Sequence, residues 1–232
     1  MEITNIDEIF EGCMPKKVYK NINEFAPQWP FRMALLGASG GGKTNVICCL
    51  VFYYLYFDSL TLLIKDVDED KYKYIVDYIE KVNELRVELK KEPIELNVYT
   101  DASELKDVNE FDCNKQHLLI IDDFINENSK IQHHISEYFI RGRKHGISVI
   151  YQAQSFLALD KTIRKNCNYI ILFDLGKREL LTIKQFYSIT ISDDLFFKLY
   201  NDCMKNKFGF MMLDFKNNDM RYRNKFDKIL KY

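Results

Sequence analysis

Eight consecutive residues, Gly37-Ala38-Ser39-Gly40-Gly41-Gly42-Lys43-Thr44, satisfy the spacing G-x-x-x-x-G-K-[ST]. A loop this rich in glycine can turn its backbone N–H groups inward around phosphate oxygens, in conformations that a Cβ obstructs. Lys43 then sets its ammonium between β- and γ-phosphates, and the Thr44 hydroxyl is placed to ligate Mg²⁺. A helix that starts at Lys43-Thr44-Asn45 points the positive end of its dipole at the same phosphates. The predicted ligands are ATP and Mg²⁺. A glycine-rich turn formed by chance would not be expected to follow an apolar strand, open a helix and precede a second acidic motif downstream.

That second motif is Leu118-Leu119-Ile120-Ile121-Asp122-Asp123, an apolar strand that ends in two acids. Asp122 is expected to hold the Mg²⁺ shell and Asp123 to polarise the attacking water. A helix N-cap or a turn residue is the structural alternative for Asp123. A polar residue at the tip of a neighbouring strand can also reach the γ-phosphate or its water. Gln154, after Ser148-Val149-Ile150-Tyr151-Gln152-Ala153, is the candidate for that role. Gln152 shares its face by the period of two and is the one that a hydrogen bond within the sheet would account for.

Three arginines are candidates for the cation that a neighbouring subunit inserts to stabilise a phosphoryl transition state. Arg143 is preferred, because its place just before the Ser148 strand is expected to set it near the active edge of the sheet. Arg141 comes second, and Arg164, beside Lys161 and Lys165, third. The structural alternative is that Arg141, Arg143 and Lys144 only complement the dipole at a helix C-terminus. His133-His134 reads as a solvated helix face, and no metal site is indicated beyond Mg²⁺.

Positioning such residues takes a strand before the loop, at Arg32–Gly37, and a helix after it, from Lys43 to about Phe57. Further apolar strands are predicted at Leu60–Lys65, Leu96–Thr100, His117–Asp123, Ser148–Gln154 and Tyr169–Asp174. A helix stripe runs through Ile75, Ile79, Val82, Leu85 and Leu89. Other helices are predicted at Lys130–His145, stopped by Gly146, and near 159–166, Gly176–Tyr187 and Asp193–Lys205. Short apolar strands alternating with helices predict an α/β fold, a mainly parallel sheet covered on both faces. The last two strand-like runs, Phe208–Phe215 and Met220–Phe226, are expected to form an antiparallel extension. Residues 1–30 read as an N-terminal lead-in and 31–232 as a single P-loop domain.

The balance of 33 basic against 34 acidic residues gives a net charge of −1, so any nucleic-acid contact must come from a local patch. The six cysteines (Cys13, Cys48, Cys49, Cys113, Cys167 and Cys203) show no C-x-x-C spacing and read as buried free thiols of a reducing compartment. The start of the chain lacks the basic and apolar regions of a signal peptide, and the apolar runs 46–57 and 118–121 are too short to span a bilayer. The expectation is a cytoplasmic protein.

With these residues in place the chain resembles the FtsK–HerA superfamily, and within it the poxvirus-type genome-packaging ATPases. Pro30-Phe31-Arg32-Met33, Gly37 to Thr44, Leu119 to Phe124, Arg141 to Tyr151, Gln154-Ser155 and Arg164-Lys165-Asn166 match in order, over roughly residues 30 to 175. Gly41 stands where many relatives have serine, and residues 1–29 and the C-terminal third match nothing in that pattern. The resemblance implies a RecA-like fold of the ASCE branch and a homo-oligomeric ring, a pentamer or hexamer. It further implies an ATP-driven motor that moves double-stranded DNA into a preformed capsid, with a capsid or portal-type vertex protein as partner. The host cytoplasm or viral factory would be its place of action, with the virion as another location. Competing readings are a nucleotide kinase, an ATP-dependent assembly factor and a GTPase, the last because Asn224-Lys225-Phe226-Asp227 spells N-K-x-D. Arg221 and Arg223 precede that run in place of an apolar strand, and no D-x-x-G follows Asp123.

Overall fold

Uninterrupted apolar runs such as Leu118–Ile121 cannot alternate between core and water, so both of their faces must be covered. In a computed structural model, which describes residues 17–217 and 221–231, they are. The strands β1 (Arg32–Leu36), β2 (Ser59–Ile64), β3 (Glu95–Tyr99), β4 (His117–Asp122), β5 (Ile147–Ala153) and β6 (Tyr169–Leu172) form a parallel core. Three short antiparallel strands extend it: β7 (Met211–Asp214), β8 (Tyr222–Asn224) and β9 (Lys228–Ile229). The sheet order is β3-β2-β4-β5-β1-β6-β7-β8-β9. The extension therefore has three strands among the described residues, where the sequence suggested two. Cys13, Asn218 and Met220 lie outside the described residues.

The helices are α1 (Lys43–Cys49), α2 (Asp70–Glu88), α3 (Ser129–Arg141), α4 (Lys161–Asn166), α5 (Lys177–Phe186) and α6 (Asp193–Met204). The period of two sorts the strand residues between two cores. Ala34, Leu36, Leu119, Ile121, Val149 and Tyr151 pack with Tyr138 and Phe139 of α3, Ile163 of α4, Ile183 of α5 and Phe196 of α6. Met33, Leu35, Leu118, Ile120 and Ile150 pack on the other side with Ile47 of α1, Ile75 and Ile79 of α2, and Ala26 and Trp29 of the lead-in.

Several boundaries depart from the sequence reading. Helix α1 ends at Cys49 and passes into a π-helical turn at Leu50–Tyr54, closed by the Leu55 N–H donating to the Leu50 carbonyl over 2.9 Å. The apolar stripe of α2 leaves the core: Ile75 and Ile79 are buried, whereas Leu85 and Leu89 are exposed beyond the reach of the sheet. Helix α3 tightens into a 3₁₀ turn at Gly142–His145, which Gly146 ends with φ 67°. Its His134 is half-buried against the Leu105 carbonyl and is not a freely solvated residue. Of the cysteines, Cys167 and Cys203 are buried, and Cys49 and Cys113 are exposed, contrary to the expectation of buried thiols.

One buried ion pair ties the extension to the rest. The Arg223 guanidinium of β8 pairs with Asp214 of β7, both almost fully buried. It also donates to the carbonyls of Phe25 in the lead-in and of Phe226. Removing one partner of such a pair leaves a buried charge uncompensated. Asp214→Ala is therefore expected to lower unfolding free energy by about 3–5 kcal/mol in urea denaturation. The paired change Asp214→Leu with Arg223→Met should cost less than Asp214→Ala alone.

Candidate nucleotide site

The parallel strands put their carboxyl ends on one edge, and the register decides which residues meet there. Asp122 lies opposite Gln152 on one side and Ile64 on the other, and Leu36 lies opposite Ala153. A cleft of about 410 Å³ opens on this edge. Ser39, Gly40, Gly42, Lys43 and Thr44 line it from the loop, and Asp122, Asp123, Gln152 and Gln154 from the strand ends. Ala38, Gly41 and Asn45 complete the loop and the first turn of α1 around them.

Gly37 cannot be another residue here, because an added Cβ would stand 2.6 Å from the Phe173 Cβ. The buried Lys43 folds back over the loop, its Nζ donating to the Gly37 carbonyl at 2.7 Å and the Ala38 carbonyl at 2.9 Å. Burial lowers its pKa, opposed by the negative charge of Asp122, Asp123 and Glu69. This is a cation held in place by weak acceptors, which phosphate oxygens can replace with stronger charge-assisted bonds.

Asp122 is half-buried in the cleft wall. The Tyr72 hydroxyl of α2 donates to Oδ2 and the Gln152 amide to Oδ1, each at 2.7 Å. Burial still raises its pKa, with Glu69 and Asp123 adding to the shift and the two donors opposing it. The Gln152 Oε1, buried on the same wall, has no donor among the described residues. A carboxylate, a hydroxyl and an orphaned carbonyl oxygen are hard oxygen ligands suited to Mg²⁺ and its waters. Among the described residues no cluster of three or more His, Cys, Asp or Glu side chains forms a metal cage. Thr44 and Asp122 are the side chains of the cleft that would hold such an ion together with substrate phosphates.

Asp123 is not a helix cap. Its φ of 59° turns the chain left-handed directly after β4, and Asn128 caps α3 by accepting from the Ile131 N–H. Gln154 sits exposed on the rim, while Gln152 is the residue that touches Asp122. Residues that pattern reading passed over also line the cleft: Lys65, Asp66, Glu69, Lys71 and Tyr72. Lys65 had a legible signal, since it follows Ile64, the register partner of Asp122. It pairs with Glu127 and lies 4.0 Å from the centroid of the Phe124 ring. Tyr72 had none, because α2 comes to β4 only through the tertiary fold.

The arginines are not gathered at the cleft. Arg143 precedes Ile147, the first residue of β5, so it lies on the amino edge of the sheet, opposite the cleft. The expectation that it stands near the active edge is corrected by the direction of the strand that follows it. Its charge bears on Tyr19, Arg32 and Lys216. Arg141 is held by Glu137 at 3.0 Å and by Asn109. Arg164 lies over the Phe156 and Phe186 rings, 5.1 and 5.5 Å from their centroids. The Asn224–Asp227 run does reach the carboxyl edge, because Asn224 pairs with Met211 and Met211 with Leu172. It sits three strands from β1, with Phe226 buried against Phe210 and Tyr54.

A family model described as Poxvirus A32 protein matches residues 21–214, from the lead-in through β7. The chain belongs to the poxvirus A32 protein family. It is a P-loop ATPase, and the match takes in every residue of the cleft. Among solved structures it is similar to the genome packaging NTPase B204 from Sulfolobus turreted icosahedral virus 2. For the AMP complex the TM-score is 0.51 at 15% identity, covering 82% of this chain and 95% of that one. For the AMPPCP complex it is 0.51 at 13% identity, covering 81% and 93%. At such identities the likeness is one of fold. No curated protein matches the chain.

Tyr72 reaches Asp122 from another element and gives one of the two hydrogen bonds that hold its carboxylate. Tyr72→Phe is expected to leave ATP binding in EDTA unchanged. The Mg²⁺ concentration needed for half-maximal hydrolysis should rise by about tenfold or more, as the loss of about 1.5–3 kcal/mol from one hydrogen bond to a charged group implies. A titration of Mg²⁺ at fixed ATP measures it.

Proposed function

We propose that this chain is a subunit of a genome-packaging motor, hydrolysing ATP to drive double-stranded DNA into a preformed capsid. The observation that carries the reading is the cleft itself. In an A32-family chain, Lys43, Thr44, Asp122 and Asp123 converge on one edge together with an orphaned acceptor for a water, which is a hydrolytic and not merely a binding arrangement. The related fold of a protein described as a genome packaging NTPase supports it.

Lys43 leaves the Gly37 and Ala38 carbonyls for the β- and γ-phosphates, where its charge offsets what develops on the γ-oxygens. Mg²⁺, held by Thr44 and Asp122, would neutralise charge on the same oxygens. Gln152 Oε1 and Gln154 orient the attacking water, and Asp123 takes its proton as the bond from the γ-phosphorus to the ADP oxygen breaks. An amide cannot take that proton, and asparagine tolerates left-handed backbone as well as aspartate does. Asp123→Asn is thus a clean test: ATP binding kept, turnover down about 10²-fold or more.

Duplex DNA should raise the rate of ATP hydrolysis by the purified protein. Hydrolysis indifferent to DNA would move the reading to an assembly factor, and phosphoryl transfer to a nucleoside phosphate in place of water would move it to a kinase. No helix among the described residues is long and apolar enough to cross a membrane. The proposed place of action is the cytoplasm, with a capsid or portal-type vertex protein as the docking partner.

The motor reading includes a homo-oligomeric ring in which an arginine arrives from the neighbour. Arg143 is exposed, whereas Arg141 and Arg164 are engaged by Glu137 and by aromatic rings. Such cations contribute about 10³–10⁵ in rate. Arg143→Ala and Lys43→Ala are each expected to be nearly inactive, and mixing the two proteins should restore part of the activity. Mixed assemblies without rescue would pass the role to Arg141 or Arg164, tested the same way.

A further inference from the structure

The cleft accounts for the phosphates and leaves the base without a partner. Its catalytic wall lies on one side of β1, because β5 and then β4 follow in that direction. A triphosphate whose γ-phosphate points to Asp122 must leave the loop on the other side, toward β6 and β7. The segment that meets it there is Lys205–Phe210, between α6 and β7. It reaches the carboxyl edge because Met211 pairs with Leu172, the last residue of β6, and the Phe173 ring that follows lies 5.6 Å from that of Phe210.

Phe208 stands out in this segment. Its φ is 60°, a conformation rare for a bulky residue, and its side chain remains 47% exposed. Neither feature serves the core. The turn is fixed by Gly209, whose N–H donates to the Asn206 carbonyl and whose Cβ, if it had one, would stand 2.1 Å from the Cys203 carbonyl. The strained residue is therefore held in a set place, and that place is the P-loop: a Cβ on Gly42 would come within 3.0 Å of the Phe208 ring. Strain of this kind persists where surrounding structure imposes it, and it clusters at ligand sites. The exposed Lys207 ammonium lies 5.2 Å from the ring centroid, occupying the aromatic face in the way a cation does when no larger partner covers it.

We propose that Phe208 is the platform on which the purine base of the bound nucleotide stacks, a contact supplied by the C-terminal extension to a site otherwise built from β1, β4 and β5. The base emerging past Thr44 and Asn45 takes the ring face, and Lys207 moves aside. This rests on the nucleotide site described above, and the test separates the two. Calorimetric affinities for ATP, ADP and inorganic tripolyphosphate are measured on the wild type and on Phe208→Ala, Phe208→Leu and Phe208→Tyr. Stacking on an aromatic residue predicts that Phe208→Ala and Phe208→Leu weaken ATP and ADP by about 5- to 150-fold. Phe208→Tyr should keep the affinity, and tripolyphosphate binding should be the same in all four proteins. Equal loss for tripolyphosphate and ATP would overturn the proposal, making Phe208 a brace for the loop. So would unchanged ATP affinity in Phe208→Ala. Wild-type protein that binds neither ATP nor tripolyphosphate would overturn the nucleotide site and the platform with it.

Discussion

A half-buried carboxylate at the end of β4 is the constraint around which the site is organised. Asp122 keeps only part of its contact with water, and withdrawing an ionised carboxylate from water without partners is costly. Two neutral donors, Tyr72 and Gln152, meet one oxygen each. They soften the penalty without removing it, so the carboxyl's affinity for protons stays above the ordinary range. A positive charge arriving in the cleft relieves the same desolvation. Both donors come from outside β4: Gln152 by the parallel register with β5, Tyr72 by the docking of α2 over the opposite core. A one-residue slip of β5 would turn Gln152 to the other face and leave Asp122 Oδ1 bare.

The antiparallel extension obeys a related rule at the far side of the sheet. Asp214 and Arg223 are charged residues in strands whose other members are methionine, leucine, tyrosine and one asparagine, and each is buried only because the other is. Their pairing, with the bonds to the Phe25 and Phe226 carbonyls, fixes the lead-in, β7 and β8 in one arrangement. The turn before β7 inherits its position from that arrangement, and that turn carries Phe208 to the loop.

How much of this could be read from the sequence follows from which contacts are local. The loop, both aspartates and the strands behind them were legible, because glycine spacing and an apolar run ending in acid are properties of short segments. The end of α1 was not: Leu50–Tyr54 has the same apolar character as a continuing α-helix, and nothing in it signals the shift from α to π hydrogen bonding. Leu85 and Leu89 continue a periodic stripe correctly read as helical, yet periodicity does not say where the sheet beneath it stops. Tyr72 entered the cleft through the docking of α2, which no spacing rule within a segment encodes, whereas Lys65 could have been placed from the register of β2 with β4. Gln152 and Gln154 share a face by the period of two, and only the register with Asp122 distinguishes the buried partner from the one on the rim.

The arginines show the same limit from the other direction. Sequence placed Arg143 beside the strand that carries Gln152, and this is correct along the chain but wrong across it, since a strand has two ends. A cation on the amino edge cannot serve the cleft on the carboxyl edge of its own subunit. If it serves a neighbour's head-to-tail, as in the ring proposed above, the amino edge of one subunit meets the carboxyl edge of the next. Contacts of that heterologous kind do not pair off into closed dimers; they repeat, and they close when the rotation between subunits divides the circle. The separation of Arg143 from its own P-loop is thus something an isolated subunit cannot overcome, and the head-to-tail contacts of the proposed ring can.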